Sequence, residues 1–178
     1  QQTPQGQARK TPAVGLTCHN YRATEFHAAI LLGGLPHLHE ETERRDRNAA
    51  RIRKALQEVP GVTVQARGRC ADLQGYYALV LMIKPKKLGN VTRNEFIAAL
   101  REEGLPCGGT YGPVYDHKLW NISRQGYRLQ HGGCPVADDA CANKAITIPH
   151  MWLLGDEEVV DGMAHAIRKV ASAFKTGK

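Results

Sequence analysis

The stretch Gly15-Leu-Thr-Cys-His-Asn-Tyr-Arg-Ala-Thr-Glu-Phe-His-Ala-Ala-Ile-Leu-Leu-Gly-Gly-Leu35 is the segment around which we expect the chain to be organised. Its first part is polar, and its second part predicts a helix over residues 24–35. Thr24 is placed to cap the first turn, and Glu25 lies where the helix dipole favours a negative charge. Two interpretations stay open: a polar cluster that binds an anion at the N-terminus of a buried helix, or a loop that merely enters a core helix.

Several further motifs follow this stretch in a fixed order. After Asn20-Tyr21-Arg22, Thr24-Glu25-Phe26 and Ala28-Ala29 come the segments Thr42–Ala50, Phe96–Gly104, Leu105-Pro106-Cys107, Cys134–Ala137, Ile148–His150 and Leu154–Glu158. Together they resemble the DegT/DnrJ/EryC1/StrS aminotransferases, a family of enzymes that depend on pyridoxal 5'-phosphate (PLP). The resemblance covers about residues 15–171, and it is specific because several motifs carry it rather than one.

The resemblance implies both a fold and an activity. The implied fold class is α+β: the small C-terminal domain of a fold type I PLP-dependent transferase, like that of aspartate aminotransferase, with a short antiparallel sheet packed with helices. We expect residues 1–35 to form a lead-in, dimer-interface and cofactor segment, and residues 36–178 to form the small domain. Complete enzymes of this family are homodimers. They move an amino group from glutamate or glutamine to a keto sugar or keto cyclitol, in nucleotide-sugar or aminocyclitol biosynthesis.

The chain departs from the family in one respect. In the family, the lysine that binds PLP covalently lies upstream of the Asn-Tyr-Arg segment, in a Ser-x-x-Lys motif followed by a Gly-Glu-Gly-Gly run, and neither precedes Asn20-Tyr21-Arg22 in this sequence. We therefore expect a C-terminal portion that begins after the catalytic lysine, contains no catalytic residue and is inactive alone. The alternative is a non-catalytic interaction or regulatory module derived from the same family.

The resemblance also implies binding residues. In the family, the residue that matches Asn20 contacts the PLP phosphate of the neighbouring subunit. In this chain, Arg22 offers the same phosphate a planar, positively charged guanidinium group. We expect His150, Tyr111 and Tyr115 to bind substrate. Each has a structural alternative: a salt bridge at the dimer interface for Arg22, a surface histidine for His150, and loop anchoring by aromatic burial for the two tyrosines.

Composition and charge argue against several other classes of protein. The formal net charge of +7 favours a nucleic-acid partner, but basic and acidic residues alternate over residues 40–58, as on a solvated helix face, and aromatic residues are few. Lys84, Lys86 and Lys87 form the only tight basic group. The longest apolar run, Tyr76–Ile83, is too short to cross a membrane. We expect a cytoplasmic protein with reduced cysteines, no nucleic-acid or membrane partner and no metal site.

Local patterns predict the remaining elements. Helices are predicted over residues 37–58, 92–103 and 136–144 and after Asp156, strands over residues 62–66, 76–84 and 145–148, and a functional or partly disordered loop over residues 110–135. Thr92-x-x-Glu95 is a capping box, and Gly104 is expected to end the helix that it opens.

Overall fold

Helices and short strands alternate along the chain. The computed structural model describes residues 23–117, Gly126 and residues 133–176. In chain order the main elements are α1 (Glu25–Gly34), α2 (Leu38–Ala55), β1 (Val62–Val64), β2 (Ala78–Ile83), α3 (Arg93–Glu102), β3 (Gly108–Gly109), α4 (Pro135–Asp139), β4 (Ala145–Pro149) and α5 (Glu157–Thr176). Short 3-10 helices lie at Leu35–His37, Pro85–Lys87, Val114–Asp116 and His150–Leu154, and a π-helical turn at Ala140–Lys144 follows α4.

The four strands form one antiparallel sheet in the order β1-β2-β4-β3. Alternate residues of a strand point to opposite faces, so Leu79 and Leu81 are buried on one face while Val80 lies on the other. Val80 is paired with Thr147 of β4, which is also only partly buried. The sheet therefore has one packed face and one open face, and the α+β class implied by the resemblance is confirmed.

Helices α2, α3 and α5 contribute the side chains that pack on the buried face of the sheet. Ile52 from α2, Phe96 from α3 and Ile167 from α5 are completely buried, together with Leu81 of β2 and Ile146 of β4. Burying a side chain of this size contributes about 1.5–3 kcal/mol relative to leaving it exposed. Within the described residues, no helix combines the length and the apolar character needed to cross a membrane.

The predicted caps of α3 and α5 are confirmed. Thr92 Oγ1 accepts a hydrogen bond from Glu95 N at 3.2 Å, and Glu95 Oε2 accepts one from Thr92 N at 2.8 Å. Asp156 Oδ1 accepts one from Val159 N at 3.0 Å at the start of α5. Gly104, after α3, has a φ of +82°, a conformation that costs glycine least. These predictions depend only on residues a few positions apart.

Some element ends differ from the predictions. The strand predicted over residues 62–66 ends at Val64, although Gln65 N still donates to Val80 O at 2.8 Å. Of the strand predicted over residues 76–84, only Ala78–Ile83 (β2) is strand. The helix predicted over residues 136–144 divides into α4 and the π-helical turn.

Helix α1 begins as predicted but is not a core helix in this chain. Thr24 Oγ1 accepts a hydrogen bond from His27 N at 3.4 Å, so the predicted cap is confirmed. No residue of α1 is buried, and Phe26 is 83% exposed. The expectation of a buried helix is wrong here because the described residues close their core around the sheet without α1.

Asp46 contradicts the expectation of a solvated charged face along α2. It is 3% exposed; its Oδ2 forms a 2.8 Å salt bridge with Arg67 Nη2, and its Oδ1 accepts a 3.3 Å hydrogen bond from the Tyr76 hydroxyl. A buried carboxylate requires such partners, because charge is costly to remove from water. Asp46 therefore ties the segment between β1 and β2 to α2.

Candidate functional site

The open face of the sheet carries a cavity of about 880 Å³, which we call the open-face cavity. It is lined by Val80 and Thr147 and by residues at strand ends: Tyr77 before β2, Tyr111 after β3 and His150 after β4. These segments are far apart in sequence and meet because β4 lies between β2 and β3.

Two tyrosine hydroxyls meet across β4 in the open-face cavity. The hydroxyl oxygens of Tyr77 and Tyr111 are 3.0 Å apart, and the two residues are 78% and 80% exposed. The hydrogen bond with Tyr111 raises the pKa of Tyr77 above its ordinary value, so the Tyr77 hydroxyl keeps its proton at physiological pH. Tyrosine hydroxyls at the edge of a cavity can donate hydrogen bonds to a polar ligand and accept them from it.

His150 and Thr110 add further polar groups to the same cavity. His150 begins the 3-10 helix after β4, and its ring forms no hydrogen bond with the described residues. Thr110 Oγ1 is buried and has no hydrogen-bond partner among the residues that the structure describes. Buried polar atoms are normally paired, so the unpaired Thr110 hydroxyl is an exception beside this cavity.

The charge of the open-face cavity is distinctive. Among the described residues that line it there is no Asp, Glu, Lys or Arg, and His150 is the one histidine. Hydroxyl, amide and imidazole groups on an otherwise apolar surface suit an uncharged ligand with several hydroxyl groups.

The structure brings together some of the predicted site residues and not others. Tyr111 and His150 line the same cavity, whereas Tyr115 is not among its lining residues. The Tyr115 hydroxyl donates to the Asp138 carboxylate and accepts a 3.0 Å hydrogen bond from Cys134 N. The bond to Asp138 raises the pKa of Tyr115. This geometry matches loop anchoring. Asn20 and Arg22 lie outside the described residues.

Tyr77 is the cavity residue that the sequence analysis missed. Tyr76 and Tyr77 both fall in the strand predicted over residues 76–84, but Tyr76 is 6% exposed and Tyr77 faces outward. Strand alternation does not identify Tyr77, because Tyr77 precedes β2 and continuing the pattern of Leu79 and Leu81 backwards would place it on the buried face. The chain before β2 departs from that alternation, so Tyr76 packs inward against Asp46 and Tyr77 lies on the open face.

The open-face cavity does not fit the phosphate group of PLP. A phosphate dianion is held by cations or by several directed N–H donors, and the described residues of this cavity include no fixed cation and no lysine. The residues predicted to hold that phosphate, Asn20 and Arg22, precede the N-cap of α1. The predicted PLP contacts of this chain therefore lie in that segment and not in the cavity.

Comparison with known proteins identifies relatives over most of the chain. The model of the DegT/DnrJ/EryC1/StrS aminotransferase family matches residues 3–168. An L-glutamine:2-deoxy-scyllo-inosose aminotransferase of Streptomyces paromomycinus is 31% identical over 172 residues, which span 89% of this chain and 40% of that protein. An L-glutamine:scyllo-inosose aminotransferase of Streptomyces griseus is 30% identical over 158 residues, 83% of this chain and 37% of that protein.

Solved structures show the same fold. The crystal structure of 3-amino-5-hydroxybenzoic acid synthase superposes with a TM-score of 0.69 at 24% identity, over 83% of this chain and 38% of that one. An aminotransferase from Psychrobacter cryohalolentis also gives 0.69, at 22% identity, over 87% of this chain and 40% of that one. The chain thus spans about 40% of the length of the relatives that it matches.

Proposed function

The chain belongs to the DegT/DnrJ/EryC1/StrS aminotransferase family, whose cofactor is PLP, and we propose that it is the C-terminal part of an enzyme that transfers an amino group from glutamine to a keto cyclitol. The relatives named for glutamine:inosose amination support this choice of donor and acceptor. When bound, PLP supplies the electron sink for amino-group transfer. The chain supplies the contacts that hold the acceptor.

The observation that carries the proposal is the uncharged character of the open-face cavity. A keto cyclitol is a neutral ring with several hydroxyl groups, and the cavity offers the hydroxyl groups of Tyr77 and Tyr111 and the ring of His150. A nucleotide-linked keto sugar carries a diphosphate, which requires cations or helix N-termini. No fixed cation lines this cavity among the described residues. The cavity therefore favours the cyclitol over the nucleotide sugar.

We assign substrate contacts to Tyr111 and His150, with Tyr77 as an added partner. A hydrogen bond between Tyr77 and Tyr111 positions both hydroxyls before substrate arrives, which lowers the entropic cost of binding. Tyr115 remains a predicted substrate residue, but its bonds to Asp138 and Cys134 support a loop-anchoring role instead.

The test of the function uses a complete enzyme that contains this segment. The enzyme is incubated with PLP, with glutamine or glutamate as donor, and with 2-deoxy-scyllo-inosose, scyllo-inosose or a nucleotide-linked keto sugar as acceptor. Mass spectrometry then detects the aminated product. We expect an aminocyclitol formed from glutamine. A product from the nucleotide sugar alone overturns the acceptor assignment, and a preference for glutamate overturns the donor assignment.

The test of the cavity uses matched tyrosine variants of the same enzyme. Tyr111→Phe removes one hydroxyl from the open-face cavity, and Tyr115→Phe removes one outside it. Losing one hydrogen bond costs about 0.5–1.5 kcal/mol, which is roughly a two- to twelve-fold loss in kcat/KM for the acceptor. We expect this loss for Tyr111→Phe and none for Tyr115→Phe. The reverse ranking removes the cavity from the proposal.

A further inference from the structure

A second cavity, of about 970 Å³, lies between the end of β2, the start of α3 and the π-helical turn after α4. We call it the basic cavity, because its lining includes Lys84, Lys86, Lys87, Arg93 and Lys144. We propose that it binds a phosphoryl group, either as free phosphate or as the phosphate ester of a small organic molecule. It shares no described lining residue with the open-face cavity, so the proposal does not depend on the proposed function.

Positive charge strongly exceeds negative charge in the basic cavity. Asp139 is the one acidic residue among the described residues that line it, and it forms a salt bridge with Lys144. That pair neutralises one of the five cations and leaves four. A concave surface lined by charges of one sign concentrates ions of the opposite sign.

The three lysines after β2 lie on a turn with a fixed backbone. Lys84 N donates to Gly61 O at 2.7 Å, and Lys87 N donates to Lys84 O at 2.8 Å. Gly61 has a φ of +84°, and a Cβ there would lie 2.8 Å from Leu88 Cγ, so the close packing of this turn requires glycine. The side chains of Lys84, Lys86 and Lys87 are exposed and form no salt bridge with the described residues. Three exposed lysines on one short turn offer positive charge and N–H donors to a bound anion.

The start of α3 adds directed donors to the lysine charges. Its capping box uses the N–H groups of Thr92 and Glu95, whereas the N–H groups of Arg93 and Asn94, the first two helical residues, have no intrahelical acceptor. Arg93 and Asn94 both line the cavity. The Arg93 guanidinium donates to Cys141 O and is therefore a fixed charge rather than a mobile one.

The arrangement selects a multivalent oxyanion. A phosphoryl group carries up to two charges and three free oxygens, so it can accept from several lysines and from backbone N–H groups at once. A carboxylate has two oxygens and one charge and uses fewer of these donors. The volume of about 970 Å³ lies in the range of cavities that hold small organic ligands, so a phosphate ester fits as well as free phosphate.

The test titrates the 178-residue chain with inorganic phosphate and with a hexose monophosphate, followed by isothermal calorimetry at low ionic strength. The variant Lys84→Gln, Lys86→Gln, Lys87→Gln is expected to bind phosphate at least ten-fold more weakly. The matched control, Arg44→Gln, Arg47→Gln and Lys54→Gln, removes three exposed cations from α2 and is expected to bind like the wild type. Asp139→Asn is expected to bind more tightly, because it removes the one carboxylate. Circular dichroism verifies that each variant is folded.

Each outcome bears on the proposal. Hexose monophosphate binding at least ten-fold tighter than phosphate identifies an organic ester, and equal affinities identify free phosphate. No binding by the wild type at millimolar phosphate overturns the proposal, as does equal weakening in both triple variants. Tighter binding of polyglutamate than of either phosphate assigns the basic cavity to an acidic protein surface and also overturns it.

Discussion

Asn48 holds α2 against the 3-10 helix that follows β4. Its Nδ2 donates to Leu153 O at 2.8 Å and to Gly155 O at 3.0 Å, in a residue that is 9% exposed. Asn48→Ala leaves both carbonyl groups without this donor, which we expect to lower the free energy of unfolding by about 1–3 kcal/mol in a urea titration. Asn143→Ala, which removes an exposed amide, is the control. An equal loss in the two variants contradicts the structural role of Asn48.

Arg51 joins α2 to α5 and makes stability depend on pH. Its Nε and Nη2 donate to the Asp161 carboxylate at 2.6 and 2.7 Å, and its Nη1 donates to Glu157 at 2.9 Å. The hydrogen bond from Arg51, aided by its charge, lowers the pKa of Asp161 below its ordinary value of 3.8. The Arg51–Asp161 interaction therefore stabilises the fold fully above the pKa that Asp161 has in the unfolded chain. This stabilisation is lost as the pH falls through the lower pKa that Asp161 has in the folded chain.

We expect the stability difference between wild type and Asp161→Asn to be constant from about pH 8 to pH 5 and to shrink below about pH 4, where the unfolded carboxyl begins to bind protons. Urea midpoints across this range measure it, and added salt should reduce it because both groups are exposed. Glu58→Gln, at an exposed carboxylate with no salt bridge to the described residues, is the control. A difference that grows in acid reverses the sign and contradicts the prediction.

Asn20 is the residue at which we expect the segment before α1 to act on the cofactor. In a complete enzyme that contains this chain, Asn20→Ala removes one donor to a charged phosphate, at a cost of about 1.5–3 kcal/mol, or roughly ten- to a hundred-fold in PLP affinity. Folding should change less, because the α1 cap belongs to Thr24. Equilibrium dialysis of PLP and thermal unfolding separate the two effects.

Mixed dimers then show which subunit uses Asn20. If Asn20 reaches the partner subunit's cofactor, pairing an Asn20→Ala subunit with a subunit that lacks the catalytic lysine places both lesions in one site and leaves the other intact. Activity is then restored. Inactive mixed dimers, together with PLP loss in Asn20→Ala alone, contradict sharing across the interface.

At the scale of the element, α1 is the helix that the described residues leave uncovered. Its sequence is apolar on all sides, with Phe26, Ile30, Leu31 and Leu32 more than two-thirds exposed, and helices of this kind are normally buried. We expect the chain to self-associate through α1. Sedimentation velocity over a range of concentrations should show association that Phe26→Gln, Ile30→Gln and Leu31→Gln remove, because glutamine preserves helix propensity while removing apolar area.

The control for α1 removes exposed apolar area elsewhere on the chain. Val136→Gln and Met151→Gln change two exposed apolar residues outside α1 and should leave association unchanged. A wild-type chain that stays monomeric at all concentrations contradicts the prediction.

At the scale of the whole molecule, we expect the 178-residue chain to form no specific covalent complex with PLP. Its one Ser-x-x-Lys sequence, Ser172–Lys175, lies in α5 and is not followed by the Gly-Glu-Gly-Gly run of the family. Lys144 and Lys169 are engaged in salt bridges with Asp139 and Glu103. A lysine becomes nucleophilic when burial or neighbouring cations lower its pKa. Incubation with PLP, borohydride reduction and mass spectrometry should find no stoichiometric adduct on one lysine. Such an adduct contradicts the prediction, whereas traces spread over several lysines do not.

Much of the fold was predictable from neighbouring residues. The caps at Thr24, Thr92 and Asp156 were predicted correctly because a cap needs only an oxygen and an N–H group three positions away. The apolar stripes and the ordered motifs predicted the elements, the α+β class and the family. All of this information lies within short windows of the chain or in the order of its motifs.

The site depended on contacts between distant segments. Tyr77, Tyr111 and His150 share one cavity because β4 inserts between β2 and β3, a strand order that no local pattern specifies. Asp46 is buried because Arg67 and Tyr76, which follow β1 in the chain, bind its carboxylate. The charge pattern of its own helix predicts a solvent-exposed face instead. The physical reason is that propensities and caps act through neighbours in sequence, whereas burial and charge pairing act through neighbours in space.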